Sequence, residues 1–120
     1  MKILIADDSK VMRQIVLRTM RQAGFGHHDF VEAVDGAEAY QLVASESPDL
    51  VLSDWNMPNQ TGIELLRALR GSGNEVPFGF VTSEGSEEMR ETARDAGALF
   101  LIAKPFTADD FVSQLSGMLS

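Results

Sequence analysis

Residues 49–58 read DLVLSDWNMP. Leu50, Val51 and Leu52 follow one another with no polar alternation. A half-exposed strand alternates apolar and polar residues. A run apolar on both faces must be covered on both, which is the condition of a parallel strand between two helical layers. The run then stops at a carboxylate, Asp54. The same pattern opens the chain in MKILIADDSK, residues 1–10, where Ile3, Leu4, Ile5 and Ala6 meet Asp7 and Asp8 at once. Two unit charges about 4 Å apart repel by roughly 4 kcal/mol at an effective dielectric near 20, so such a pair calls for solvent or a cation.

Working outward, β-rich runs are expected at Lys2–Ala6, Asp29–Val34, Asp49–Ser53, Pro77–Thr82 and Leu99–Ala103. Five segments with helical spacing alternate with them. In the first, Met12, Ile15, Val16, Thr19 and Met20 recur at helical intervals; the third carries Leu65, Leu66 and Leu69. Met89, Thr92, Ala93 and Ala96 mark the fourth, with Met89 and Ala93 expected in the core, and Phe111, Val112, Leu115, Met118 and Leu119 mark the fifth. Asp35 with Glu38, and Thr61 with Glu64, have capping-box spacing. Ser9, Ser86 and Thr107 are N-cap candidates, and Gly24, Gly71 and Gly97 fall where helices should stop. Strands alternating with helices imply parallel pairing and right-handed crossovers. The expected fold class is α/β, a doubly wound five-stranded parallel sheet with five helices, some on each face.

A chain of 120 residues has the size of one ordinary domain, and an apolar fraction of 44% is enough to build its core. We expect one domain over residues 1–120 with no separate output domain. There is no cysteine, which excludes disulfides, thiolate metal sites and cysteine nucleophiles. Neither a membrane span nor a signal-peptide pattern is present, so a cytoplasmic location and no membrane partner are expected. A net charge of −8 argues against a nucleic-acid partner. Arg13, Arg18 and Arg21 read as a solvated helix face, not as a basic patch. His27 and His28 read as loop residues, and the GSG at residues 71–73 as a turn, because it follows a helix and does not open one.

In an open α/β sheet, ligands bind outside the carboxyl ends of the strands. Those ends carry Asp7 and Asp8, then Asp54, then Thr82 and Ser83, then Lys104 and Pro105. Three carboxylates, a hydroxyl and an ammonium should therefore meet on one edge. Hard oxygen ligands with no histidine or cysteine point to Mg²⁺. Phosphoryl transfer needs positioning and charge neutralisation, and a carboxylate can serve as its nucleophile. Trp55, beside Asp54, is expected partly exposed at the site mouth.

The motifs ADDS, SDWNMP with Gly62 beyond it, VTS and KPF, in this order and each at a strand end, resemble the response-regulator receiver domain in its short chemotaxis-type form. The resemblance covers essentially the whole chain. It implies a flavodoxin-like three-layer sandwich of strand order 2-1-3-4-5. By the same resemblance Asp54 is the phospho-acceptor, Thr82 the switch hydroxyl and Lys104 the lysine contacting the phosphoryl group, with Pro105 after a cis peptide bond. Asp7, Asp8, Asp54 and the Asn56 carbonyl would hold Mg²⁺. Asn56 and Glu84 match positions that tune hydrolysis of the aspartyl phosphate, and Ser83 the small residue guarding the acceptor. A sensor histidine kinase or phosphotransfer protein would supply the phosphoryl group, small acyl phosphates substituting. A downstream protein would bind the face of the fourth helix, fifth strand and fifth helix, with Arg90, Arg94, Phe100, Leu101 and Phe106 as candidate contacts. Such a domain catalyses only its own phosphorylation and dephosphorylation.

One departure stands out. The family often has Tyr or Phe three residues before the lysine; here that residue is Leu101, and the aromatic Phe100 lies one place earlier. A one-residue step points a strand side chain to the opposite face. Either an aliphatic residue replaces the aromatic switch or an irregularity resets the register. Two other functions compete. A Mg²⁺-dependent phosphatase using an aspartyl phosphate would usually carry acids two residues apart on the first strand and a cap; here the acids are adjacent and no cap insertion exists. A flavodoxin-like cofactor binder would need a phosphate-cradling loop where Asp7, Asp8 and Ser9 would repel phosphate.

Overall fold

In a computed structural model, which describes residues 1–119, five strands alternate with five helices. They are β1 (Lys2–Ala6), α1 (Lys10–Gln22), β2 (Asp29–Ala33), α2 (Gly36–Glu46), β3 (Leu50–Ser53), α3 (Gly62–Gly71), β4 (Phe78–Thr82), α4 (Glu87–Ala96), β5 (Phe100–Ala103) and α5 (Ala108–Leu115). All strand pairs are parallel and the order is β2-β1-β3-β4-β5. The expected architecture and strand order are met, with boundaries shifted by at most one residue.

Strands β1, β3, β4 and β5 divide their side chains between two cores. Leu4, Ala6, Val51, Phe78, Phe80 and Leu101 pack under α2, α3 and α4. Ile3, Ile5, Leu50, Leu52, Phe100 and Ile102 pack against α1 and α5. Burial on both faces explains the unbroken apolar runs. The β4–β5 register pairs Gly79 with Phe100 and Phe80 with Leu101 without interruption. No irregularity resets β5, so Phe100 faces the α1/α5 core and Leu101 the α4 side. Gly79 leaves room for the Phe100 ring, with which a Cβ at that position would collide.

The caps follow the sequence signals closely. Ser9 and Ser86 accept from the N–H groups of Met12 and Met89, each at 3.2 Å. Thr61 and Glu64 close a full capping box. Asp35 caps α2 through the Glu38 N–H at 2.8 Å, but Glu38 returns its bond to the Val34 N–H, one residue early. At Thr107 the Asp110 carboxylate accepts from the backbone N–H at 2.8 Å. Gly24 and Gly97 take left-handed conformations after their helices. Gly71 instead ends α3 as a helical residue and Gly73 makes the left-handed turn. Ser47 closes α2 at φ 48°, a stop with no glycine to announce it.

One helix is rotated from expectation. The buried stripe of α1 is Arg13, Val16, Thr19 and Met20, while Met12 and Ile15 are only partly covered. Arg13, expected in solvent, is 8% exposed; Arg18 and Arg21 are exposed as expected. No helix among the described residues is long and apolar enough to cross a membrane.

Candidate functional site

The site forms where β1, β3, β4 and β5 reach the same edge of the sheet. Backbone bonds carry the ladder past the strand ends: the Asp54 N–H donates to the Ala6 carbonyl at 2.8 Å, and the Lys104 N–H donates to the Thr82 carbonyl at 2.8 Å. Neighbouring strand ends are thereby held level, and their next side chains share one space. Carboxylate oxygens of Asp7, Asp8 and Asp54 all lie within 4.8 Å of one another. Lys104 Nζ sits between two of them, 3.4 Å from Asp7 Oδ2 and 3.7 Å from Asp54 Oδ2. Asp7, unpaired in the sequence, thus faces a cation 97 positions further along the chain.

Each member is differently held. Asp7 is 4% exposed; its Oδ1 accepts from the Ser9 N–H at 2.9 Å and its N–H donates to the Ala33 carbonyl. Asp8 is exposed, and its side chain makes no hydrogen bond among the described residues. Asp54 Oδ1 accepts from the Trp55 N–H at 2.8 Å. Gly62 lets α3 start directly against β3: a Cβ there would collide with the Asp54 carbonyl oxygen. This gives the glycine beyond the SDWNMP motif a steric reason. Trp55 is half-buried on Phe80, with ring centroids 4.7 Å apart. Asn56 and Ser83 are exposed. The Lys104–Pro105 peptide bond is cis.

Burial pushes the Asp54 carboxyl above its ordinary value; Lys104 pulls the other way, while Asp7 adds to the rise. A displaced carboxylate among like charges is the usual condition of a functional acid. Thr82 Oγ1 is fully buried beside Asp54, close enough to favour the ionised carboxylate, yet makes no hydrogen bond of good geometry. Orphaned buried hydroxyls are rare, because each forfeits its bonds to water. Beside Asp54, the Thr82 hydroxyl is a donor available to a group carried on that carboxylate. The donor set, three carboxylates and no nitrogen or sulfur ligand, fits a hard divalent cation.

Two sets of residues differ from the sequence reading. Phe100 and Leu101, expected as partner contacts, are 9% and 6% exposed and belong mainly to the core, although both also line the groove between α4 and α5. Phe106 is half-buried, edge-on to Phe111 at 5.0 Å. Arg90 and Arg94 do line a groove between α4 and α5, with Leu99 57% exposed at its edge. Arg13 was missed as part of the site. Its Nη1 donates to the Asp7 carbonyl at 2.6 Å and its Nε to Glu32 at 2.8 Å. The spacing of Arg13, Val16 and Met20 could have shown it, since it places the arginine on the apolar stripe. The Asp35–Asn59 bond was also missed; at 2.7 Å it ties the start of α2 to the loop after Asp54.

Residues 3–116 match the family described as response regulator receiver domain. The chain is 37% identical over 122 residues to a chemotaxis protein CheY homolog of Campylobacter jejuni, an alignment covering 99% of this chain and 92% of that one. To the chemotaxis protein CheY of Pseudomonas aeruginosa it is 41% identical over 110 residues, 90% of this chain and 87% of that one. The solved structure of Vibrio cholerae chemotaxis protein CheY4 superposes with a TM-score of 0.84 at 32% identity, covering 98% of each chain.

Proposed function

The chain belongs to the response regulator receiver domain family, and from that premise we propose that Asp54 accepts a phosphoryl group from a phosphohistidine on a kinase or phosphotransfer protein, with Mg²⁺ bound by Asp7, Asp8 and Asp54. The observation that carries this reading is the junction of Asp54, the other two acids and Lys104 at one strand edge. Two-component signalling by aspartyl phosphorylation is what the fold and the carboxylate cluster serve, and receivers of this type act only on their own phosphorylation state.

Mg²⁺, when bound, supplies charge neutralisation to the acids and to the phosphoryl oxygens. An Asp54 carboxylate oxygen attacks phosphorus, the P–N bond breaks, and its electron pair leaves on the imidazole, which takes up a proton. Asp54 must be ionised to attack; Lys104 favours that state against the effect of burial. Once the group is attached, the Lys104 ammonium lies within reach of a phosphoryl oxygen. The Thr82 hydroxyl, which otherwise makes no hydrogen bond of good geometry, gains an acceptor. That bond would draw in the end of β4 and the loop leading to α4. The Asn56 carbonyl would help to hold the ion, and the groove beside Arg90 and Arg94 would receive the downstream protein.

The reading is tested by titrating Mg²⁺ and then beryllofluoride, a phosphoryl mimic, against Trp55 fluorescence. Saturable changes in the wild type that vanish in Asp54→Asn are expected. Equal responses in both proteins would contradict it.

A further inference from the structure

We propose that Arg13 is a positioning residue for the cation site, setting the direction of Asp8 through the backbone of Asp7, with Glu32 as its anchor. The inference rests on the cation-site reading above.

An arginine on the buried stripe of α1 breaks the helix pattern, and a buried guanidinium is tolerated only when its donors are matched. Nε meets Glu32 Oε1 at 2.8 Å and Nη1 meets the Asp7 carbonyl at 2.6 Å. The two acceptors lie on different elements, β2 and the end of β1. A planar fork spans both; a lysine ammonium is a point donor on a flexible stem.

The Asp7 carbonyl is the decisive contact. The peptide joining Asp7 to Asp8 is a rigid plate, so holding its oxygen limits where the Asp8 Cα can sit. Asp7 is fixed at every other polar atom as well: its N–H on Ala33, Oδ1 on Ser9 and Oδ2 by Lys104. Asp8 has no side-chain bond among the described residues to hold its own carboxylate in place. Its aim therefore depends on the plate that Arg13 grips. Partners behind first ligands commonly change metal affinity by about 10–100-fold when removed.

The test compares wild type, Arg13→Met, Arg13→Lys and Glu32→Ala. Mg²⁺ affinity is read from Trp55 fluorescence, stability from thermal unfolding, and loop order from amide hydrogen exchange of the metal-free proteins. Methionine keeps the stem and removes a buried charge, and Glu32 is exposed enough to be lost without threatening the core. In Arg13→Met the Mg²⁺ Kd is expected to rise about tenfold. The Ser9 amide, which donates to Asp7 Oδ1, should exchange faster, with no matching fall in the melting temperature. Arg13→Lys should lie between Arg13→Met and wild type. Glu32→Ala should weaken Mg²⁺ binding roughly threefold, the scale of an exposed ion pair. Arg13→Met binding Mg²⁺ as tightly as wild type overturns the proposal. Should Arg13→Met fail to fold, Glu32→Ala decides, and wild-type affinity in that variant overturns it. A wild type that binds no Mg²⁺ would instead defeat the cation-site reading.

Discussion

At the scale of single residues, Asp54 is a carboxyl whose charged form burial disfavours. Burial raises its carboxyl above the unfolded-chain value of 3.8, so between those two values the folded protein binds more protons than the unfolded one. Stability then falls as pH rises through that window, and the loss is complete above it. In metal-free buffer near pH 7, Asp54→Asn is accordingly expected to be more stable than wild type. Well below 3.8 the advantage should disappear. Thermal unfolding across pH checks this, and a variant less stable than wild type near neutrality would contradict it. Asp7, Asp8, Asp54 and Lys104 were legible in the sequence because each ends or follows an apolar run, and strand ends of a parallel sheet share an edge. Arg13 was not, because charge is a poor guide to burial: its stem lies on the apolar stripe and its head is matched by acceptors far along the chain.

At the scale of elements, β5 is where the chain departs from the family pattern. The one-residue step between Phe100 and Leu101 was readable as a change of face, and the uninterrupted register with β4 bears that out. What the step accomplishes was not readable, since it depends on Gly79 across the ladder. Phe100 fills the space that Gly79 leaves in the α1/α5 core, and Leu101 occupies the α4 side. Gly79→Ala should therefore cost about 1–3 kcal/mol by overpacking. In a Phe100→Leu background the same change should cost much less, because the two positions share one volume. Denaturant unfolding of the four proteins tests the coupling; additive costs would show that the ring and the glycine do not compete. The helix starts were legible through Ser9, Asp35, Thr61 and Ser86. The end of α2 at Ser47 was not, for a left-handed serine has no sequence signature.

At the scale of the whole molecule, strand order converts separation in sequence into contact. With β1 and β3 adjacent at the centre and β4 and β5 following, the tips of four strands fall on one side of the sheet. Alternation of strand and helix gave parallel pairing from the residues, whereas the order 2-1-3-4-5 came from family resemblance. Local periodicity carries no information about which strands neighbour. The central claim is that these tips form one phosphoryl-accepting centre on Asp54. The direct measurement is intact-mass and peptide mapping after incubation with a small acyl phosphate, with and without Mg²⁺. One added phosphoryl group, dependent on Mg²⁺ and located on Asp54, is the expected result. An unchanged mass, or a phosphoryl group on any other residue, would contradict it.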